Sequence, residues 1–230
     1  MTKTPVTARP IIFSAPMIRA LLAGEKTQTR RIVKPQPPMD HSPLVIDRFC
    51  PTVIDRYGDE QPGDEVFGVT TENGEWCIRC PYGQPGDLLW VRESWCGDIN
   101  ARTRLYKADG QHVVKDDGDG FAVINKDGTE ASPWRSSMHM PRWASRLTLR
   151  ITDVRVQRLQ EISEADARAE GAPLELRLLD SVRLGATASH TGGFERLWES
   201  IHGPDSWAAN PWVWALTFDV IRKNVDEVTV

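Results

Sequence analysis

The chain has 230 residues, 40% of them hydrophobic, with nine Trp and a formal net charge of −4. This is the composition of an ordinary globular protein with a real core, and it argues against one that coats nucleic acid indiscriminately. No run approaches the ~20 apolar residues of a membrane span, the N-terminus has no apolar leader segment, and four Cys are too few for a disulfide scaffold, so a cytoplasmic protein with reduced thiols and no membrane partner is expected.

In chain order, the first predicted element is a helix. Ser14 stands at its N-cap, Pro16 suits its first turn, Met17, Ile18, Leu21 and Leu22 share one side, and Gly24 stops it. A strand leaving that stop would send Lys26 and Gln28 to one face and Thr27, Thr29 and Arg31 to the other, unless a turn or bulge brings Lys26 and Thr29 together. From Pro35 to Pro85 the chain is rich in Pro, Gly and Asp and shows no sustained period. Gln61-Pro62-Gly63-Asp64 recurs there as Gln84-Pro85-Gly86-Asp87, and Pro-Gly at a turn explains both copies. The first leads into a short strand at Glu65–Val69 and the second launches a strand at Leu88–Glu93.

Residues 98–132 are polar, with Asp116–Gly120 at an expected hairpin tip; the ~12-residue pattern of a calcium loop is missing. Leu147, Leu149 and Ile151 alternate with polar residues, and Val154 and Val156 resume past Thr152-Asp153, which predicts a long strand with a bulge there. A second helix follows, capped by Ser163 with Asp166 three residues on and stopped by Gly171; a third covers about Phe194 to Ile201 and ends at Gly203. The last strand alternates Trp212, Trp214, Leu216, Phe218 and Val220 behind Pro211. Strands separated by few helices and long loops predict an α+β fold, a mixed sheet or small barrel with helices at its ends.

Charge is unevenly spread. Up to Pro35 there are seven Lys/Arg (Lys3, Arg9, Arg19, Lys26, Arg30, Arg31, Lys34) against Glu25 alone, and from Arg135 to Arg158 six Arg against Asp153 alone. A cleft bordered by such segments suits a nucleotide or a short single strand.

Three stretches carry a resemblance: Lys26-Thr27-Gln28-Thr29-Arg30-Arg31 after Gly24, Gln84-Pro85-Gly86-Asp87-Leu88-Leu89-Trp90-Val91-Arg92-Glu93, and His139-Met140-Pro141-Arg142-Trp143-Ala144-Ser145-Arg146. With the closing aromatic strand they resemble the ASCH family of PUA-like β-barrels, and within it the larger ASCH-like proteins of phages and prophages. The resemblance covers most of residues 10–222 and implies one PUA-like mixed β-barrel domain over that range, with insertions near 35–83 and 98–132 and flexible ends at 1–9 and 223–230. It implies a cleft for a pyrimidine nucleobase, nucleoside or RNA segment, and no cofactor. Some small family members are amidohydrolases that remove the acetyl group of N4-acetylcytidine with a Lys, a Thr and a Glu. The matching residues here are Lys26, Thr29 and, by its spacing after the Ser163 cap, Glu170. This chain is longer than those enzymes, so its cleft is expected to differ from theirs.

Amide hydrolysis needs a nucleophile, a base, an acid for the leaving amine and a donor for the oxyanion. Thr29 is cast as the nucleophile, a neutral Lys26 beside Arg30 and Arg31 as its base, and Glu170 as the proton shuttle. Arg30, Arg31, Glu93, Trp95, His139 and Arg142 are the expected substrate-binding residues. The rival reading is a non-catalytic module that binds RNA or single-stranded nucleic acid, with Trp90, Trp95, Trp134 and Trp143 as candidate stacking residues. A third is a ribonuclease with His139 as base. Cys77-Ile78-Arg79-Cys80 has the spacing of half a zinc site, but Cys50 and Cys96 supply no second pair, and no metal is expected.

Overall fold

The computed structural model describes residues 6–38, 43–96, 104–109, 123–124, 130–131, 134–178 and 186–229. The expected hairpin tip at Asp116–Gly120 and the outermost terminal residues lie outside this set.

The chain opens with β1 (Ala8–Ile12), α1 (Ala15–Ala23) and β2 (Gln28–Ile32). Ser14 occupies the N-cap of α1 with extended backbone but makes no side-chain capping bond, while Gly24 ends the helix at φ +77°, a conformation that favours glycine. Two hairpin systems follow, built from β3 (Leu44–Phe49), β4 (Thr52–Ile54), β5 (Glu60–Pro62), β6 (Val66–Thr71) and β7 (Cys77–Arg79). Next come β8 (Leu88–Arg92), then β9 (Trp95–Cys96) paired with β10 (Leu105–Tyr106), and β11 (Val123–Ile124) paired with β12 (Glu130–Ala131). The last part holds β13 (Thr148–Arg158), α2 (Glu164–Ala169), β14 (Glu175–Leu178), β15 (Ala186–Ser189), α3 (His190–His202) and β16 (Trp212–Ile221). The fold is mixed α+β, mostly sheet with few helices.

Packing divides the chain into two compact units. The first comprises 1–24, 88–149 and 220–230. In it β1 runs parallel to β8, from Ala8 opposite Leu88 to Ile12 opposite Arg92, so the expected loose end at 1–9 already contributes Ala8 and Arg9 to a strand. Ile11, Phe13, Ile18, Leu21, Leu89, Val91, Leu147 and Leu149 are buried here, and Trp95, Tyr106, Met140 and Ala144 form a second cluster.

The second unit comprises 25–87 and 150–219. There β16 has β13 and β2 as neighbours, with β2 antiparallel and Leu216 opposite Thr29. Val213, Trp214, Ala215 and Leu216 are buried in succession, so β16 is covered on both faces at that point and its alternation does not translate into a wet side. β13 is continuous through Thr152-Asp153, but its burial shifts phase there: Ile151 and Val154 are buried and the two residues between them are exposed. β6 lies between β3 and β7 in a separate three-stranded sheet. Leu159, Ile162, Ala167, Ala172, Phe194, Trp198 and Val213 form a core where α2 and α3 pack, with Ile32 and Trp207 against it.

Among the described residues β1 pairs only with β8 and β2 only with β16, which leaves an open sheet; no closed barrel is formed. No described helix is long and apolar enough to cross a membrane.

Candidate functional site

The second unit holds a buried ionic network where β2 and the residues just before it meet α2 and its C-cap Glu170, with Arg155 of β13 beside them. Residues two apart on a strand share a face, and residues four apart on a helix share a face. Lys26, Gln28 and Arg30 are thereby set against Asp166 and Glu170. The two segments are joined through the backbone: Lys26 forms an antiparallel bridge with Glu170, Thr27 N–H donates to Ala169 O at 2.8 Å, and Phe218 N–H donates to Thr27 O at 3.0 Å. Ser163 fixes the start of α2 by accepting from Asp166 N–H at 3.1 Å.

Lys26 Nζ donates to Glu170 Oε2 at 2.6 Å and to the Glu170 carbonyl at 2.8 Å. Arg30 Nη1 donates to Glu170 Oε1 at 3.2 Å, and its Nη2 to Asp166 Oδ2 at 2.9 Å. Gln28 Nε2 donates to Asp166 Oδ1 at 3.0 Å, and Arg155 Nη2 reaches Asp166 Oδ2 at 3.3 Å. Arg30 also lies 5.8 Å from the centre of the Phe194 ring. Lys26 is 1% exposed and Glu170 5%. Two carboxylates therefore balance Lys26 and Arg30 where little water reaches them, and Arg155 adds a half-exposed third cation.

Burial pushes the Lys26 ammonium below its ordinary pKa; Glu170 pulls it back up, and Arg31 and Arg30 push it further down. Burial raises Asp166, but the Gln28 hydrogen bond and the Arg155 and Arg30 charges outweigh it and hold the carboxyl below its usual range.

Strand alternation puts Thr29 and Arg31 on the face of β2 opposite to Gln28 and Arg30. Thr29 is 3% exposed. Burial lowers the Arg31 guanidinium and raises the Tyr82 phenol, and these two groups act on one another. Burial, with Arg31 and Lys34 nearby, also lowers His202, whose ring stacks on Trp198 at 4.2 Å. The pairing of β2 with β16 runs in register from Gln28 to Ile32.

The other expected binding residues belong to the first unit. Glu93 is 2% exposed, and both its oxygens accept from Arg146, at 2.9 and 3.1 Å. Burial raises its pKa against the pull of Arg146. Arg146 lies over Tyr106, 3.9 Å from the ring centre, and also donates to Asp109. Trp95 is 1% exposed, edge-on to Trp143 at 5.6 Å, so the exposed ring of this pair is Trp143. His139 and Arg142 are exposed, and Arg142 pairs with Asp226.

Of the four Cys, Cys50 and Cys77 are exposed, Cys80 and Cys96 buried. Among the described residues no group of three or more His, Cys, Asp or Glu gathers to hold a metal ion. An open groove of about 530 Å³ runs beside α3, lined by Pro173, Leu174, Glu175, Gly193, Arg196 and Leu197, and none of Lys26, Thr29 and Glu170 lines it.

Residue reasoning on the sequence leaves out Asp166, Gln28 and Arg155. Their signal is present: Asp166 and Glu170 are four apart on a capped helix and its C-cap, and Lys26, Gln28 and Arg30 are two apart on β2 and the residues leading into it. Comparison with protein-family models, curated proteins and solved structures finds no match to this chain.

Proposed function

We propose that the chain is an ASCH-type, PUA-like protein that takes a pyrimidine nucleoside and hydrolyses an N4-acyl group from cytidine. The observation that carries this reading is the Lys26–Glu170 contact of 2.6 Å in a nearly dry setting, where burial pulls Lys26 toward neutrality. Perturbed, closely coupled ionisable groups of this kind concentrate at functional sites.

With Thr29 on the opposite face of β2 from Gln28 and Arg30, the proposed nucleophile is water rather than the Thr29 hydroxyl. Glu170 removes a proton from the water as it attacks the acyl carbon. Lys26 donates a hydrogen bond to the developing oxyanion. On collapse the bond from the acyl carbon to N4 breaks, and Glu170 passes its proton to the leaving amine, releasing a carboxylate and cytidine. Arg30, itself held by Asp166, keeps Glu170 in position.

A second reading rests on the same burial. At 1% and 5% exposure, Lys26 and Glu170 also suit a clamp that fastens α2 to β2 in a non-catalytic RNA-binding or single-strand-binding module. Release of cytidine from N4-acetylcytidine, followed by chromatography, separates the two. The hydrolase reading predicts turnover that is lost in Lys26→Met while circular dichroism stays native. The module reading predicts no turnover, and RNA binding that weakens steeply with salt.

A further inference from the structure

The hairpin from Pro51 to Gly63 is ordered without being buried. All six residues of β4 and β5 are exposed, and Ile54 and Tyr57 are each 73% exposed with Val53 at 45%. Among the described residues this two-stranded ribbon has both outer edges unpaired, and an isolated hairpin of this size is marginal in water. Its turn is nevertheless fully specified. Asp55 Oδ1 accepts from Tyr57 N–H at 2.8 Å and from Asp59 N–H at 3.0 Å, and Gly58 sits at φ +91° with its N–H on Asp55 O. Gly63 N–H closes the base on Pro51 O at 2.7 Å. The segment is acidic: residues 51–65 contain Asp55, Asp59, Glu60, Asp64 and Glu65 against Arg56, which lies 4.6 Å from the Tyr57 ring centre, and Glu65 is paired with Arg48.

The first unit carries a surface of complementary character. Met138 is 63% exposed and Trp143 40%. Residues 134–146 contain Arg135, Arg142 and Arg146 and no acid, and Arg104 lies 5.1 Å from the Trp143 ring centre. Arg104, Lys107, Arg135 and Arg142 are exposed in this unit, with Arg135 5.2 Å from the centre of the Trp95 ring that meets Trp143 edge-on; Arg142 is paired with Asp226, and Asp109 with Arg146. The face is built to keep its shape. Ser136 Oγ accepts from Met138 N–H, and Asn224 Nδ2 donates to Arg142 O at 2.9 Å and Ser145 O at 2.7 Å.

We propose that the Pro51–Gly63 hairpin of one chain docks on the Met138–Trp143 face of a second copy. An apolar tip in an acidic segment meets apolar groups in a basic one, which suits both burial and charge. The two patches differ, so the contact is heterologous. Repeated from copy to copy it closes into a ring or extends as a filament.

Sedimentation velocity on the full chain across a concentration series tests this. The wild type is expected to gain mass with concentration, and less so when ionic strength rises from about 0.1 M to about 1 M, which cuts the Debye length from ~10 Å to ~3 Å. Ile54→Asp with Tyr57→Ser on the hairpin, or Met138→Asp on the face, is expected to weaken self-association at least about tenfold, since each removes an exposed apolar anchor. These side chains are outside the core, and native circular dichroism verifies that the variants fold. The decisive arm mixes the two variants: one intact hairpin and one intact face remain per pair, so a discrete dimer forms at concentrations where neither variant associates alone. A wild type that stays monomeric throughout overturns the proposal. So does association that survives Met138→Asp, or a variant mixture that stays monomeric.

Discussion

Lys26 and Glu170 cannot be replaced singly without leaving an unmatched group in a dry place. Glu170→Ala strips the buried ammonium of its carboxylate, and breaking a buried pair from one side costs about 3–5 kcal/mol. Urea unfolding of Glu170→Ala is expected to show a loss of that size, with the double replacement Lys26→Met, Glu170→Leu recovering much of it; equal instability in the double variant would mean the pair matters through shape, not charge. Thr29 is predicted to behave differently. Thr29→Val keeps volume and removes only a hydroxyl on the other face of β2, so hydrolysis should survive it, whereas Glu170→Gln, which removes the proton acceptor, should lower kcat/KM at least ~100-fold. The reverse ranking would restore Thr29 as nucleophile. Lys26 and Glu170 were legible as a pair only through the family resemblance. Asp166 was visible as a cap partner, yet its role against Arg30 and Gln28 needed the face of β2 to be known.

Among the elements, α2 and α3 are tied together by an acid that must stay ionised. Glu164 accepts from Ser189 Oγ at 2.6 Å and from the N–H groups of His190 and Thr191 at 2.8 and 3.1 Å, thereby capping α3 from a neighbouring helix. The Ser189 hydrogen bond first, and the other donors after it, lower its pKa from the ordinary 4.5 to about 2. A folded value below the unfolded one means that this group favours folding above pH 4.5 and that its contribution is lost as pH falls toward 2. Asp166, also lowered, acts in the same sense. Stability measured by Trp fluorescence from pH 6 to pH 2 is therefore expected to fall across that window and to fall less in Glu164→Gln. Gly193 in α3 gives a steric counterpart: a Cβ there would stand 2.0 Å from Pro173 O, so Gly193→Ala should cost roughly 1–3 kcal/mol in thermal or urea unfolding.

The elements most legible in the sequence were those with local signals: α1 with Gly24, α2 between Ser163 and Gly171, β8 behind its Pro-Gly turn, and β16. The stretch from Pro35 to Pro85 was legible only at the strand expected over Glu65–Val69, which is β6. Leu44-Val45-Ile46 and Val53-Ile54 are too short to set a period against the Pro, Gly and Asp around them, and β3, β6 and β7 are strands because they pair with one another. The parallel pairing of β1 with β8 is equally invisible locally, since eighty residues of chain separate Ala8 from Leu88.

For the molecule as a whole, the net charge of −4 conceals an acidic hairpin and basic segments, and the open sheet differs from the closed barrel expected of a PUA-like chain. The fold class was thus readable from composition and periodicity, while closure was not, because it depends on which edge strands meet. The hydrolytic reading rests on the Lys26–Glu170 contact, and its most direct test is the time course of cytidine release from N4-acetylcytidine by the wild type and by Glu170→Gln. Steady release by the wild type, abolished in a folded Glu170→Gln, is the predicted result; no release by the folded wild type, or equal release by both, would contradict it.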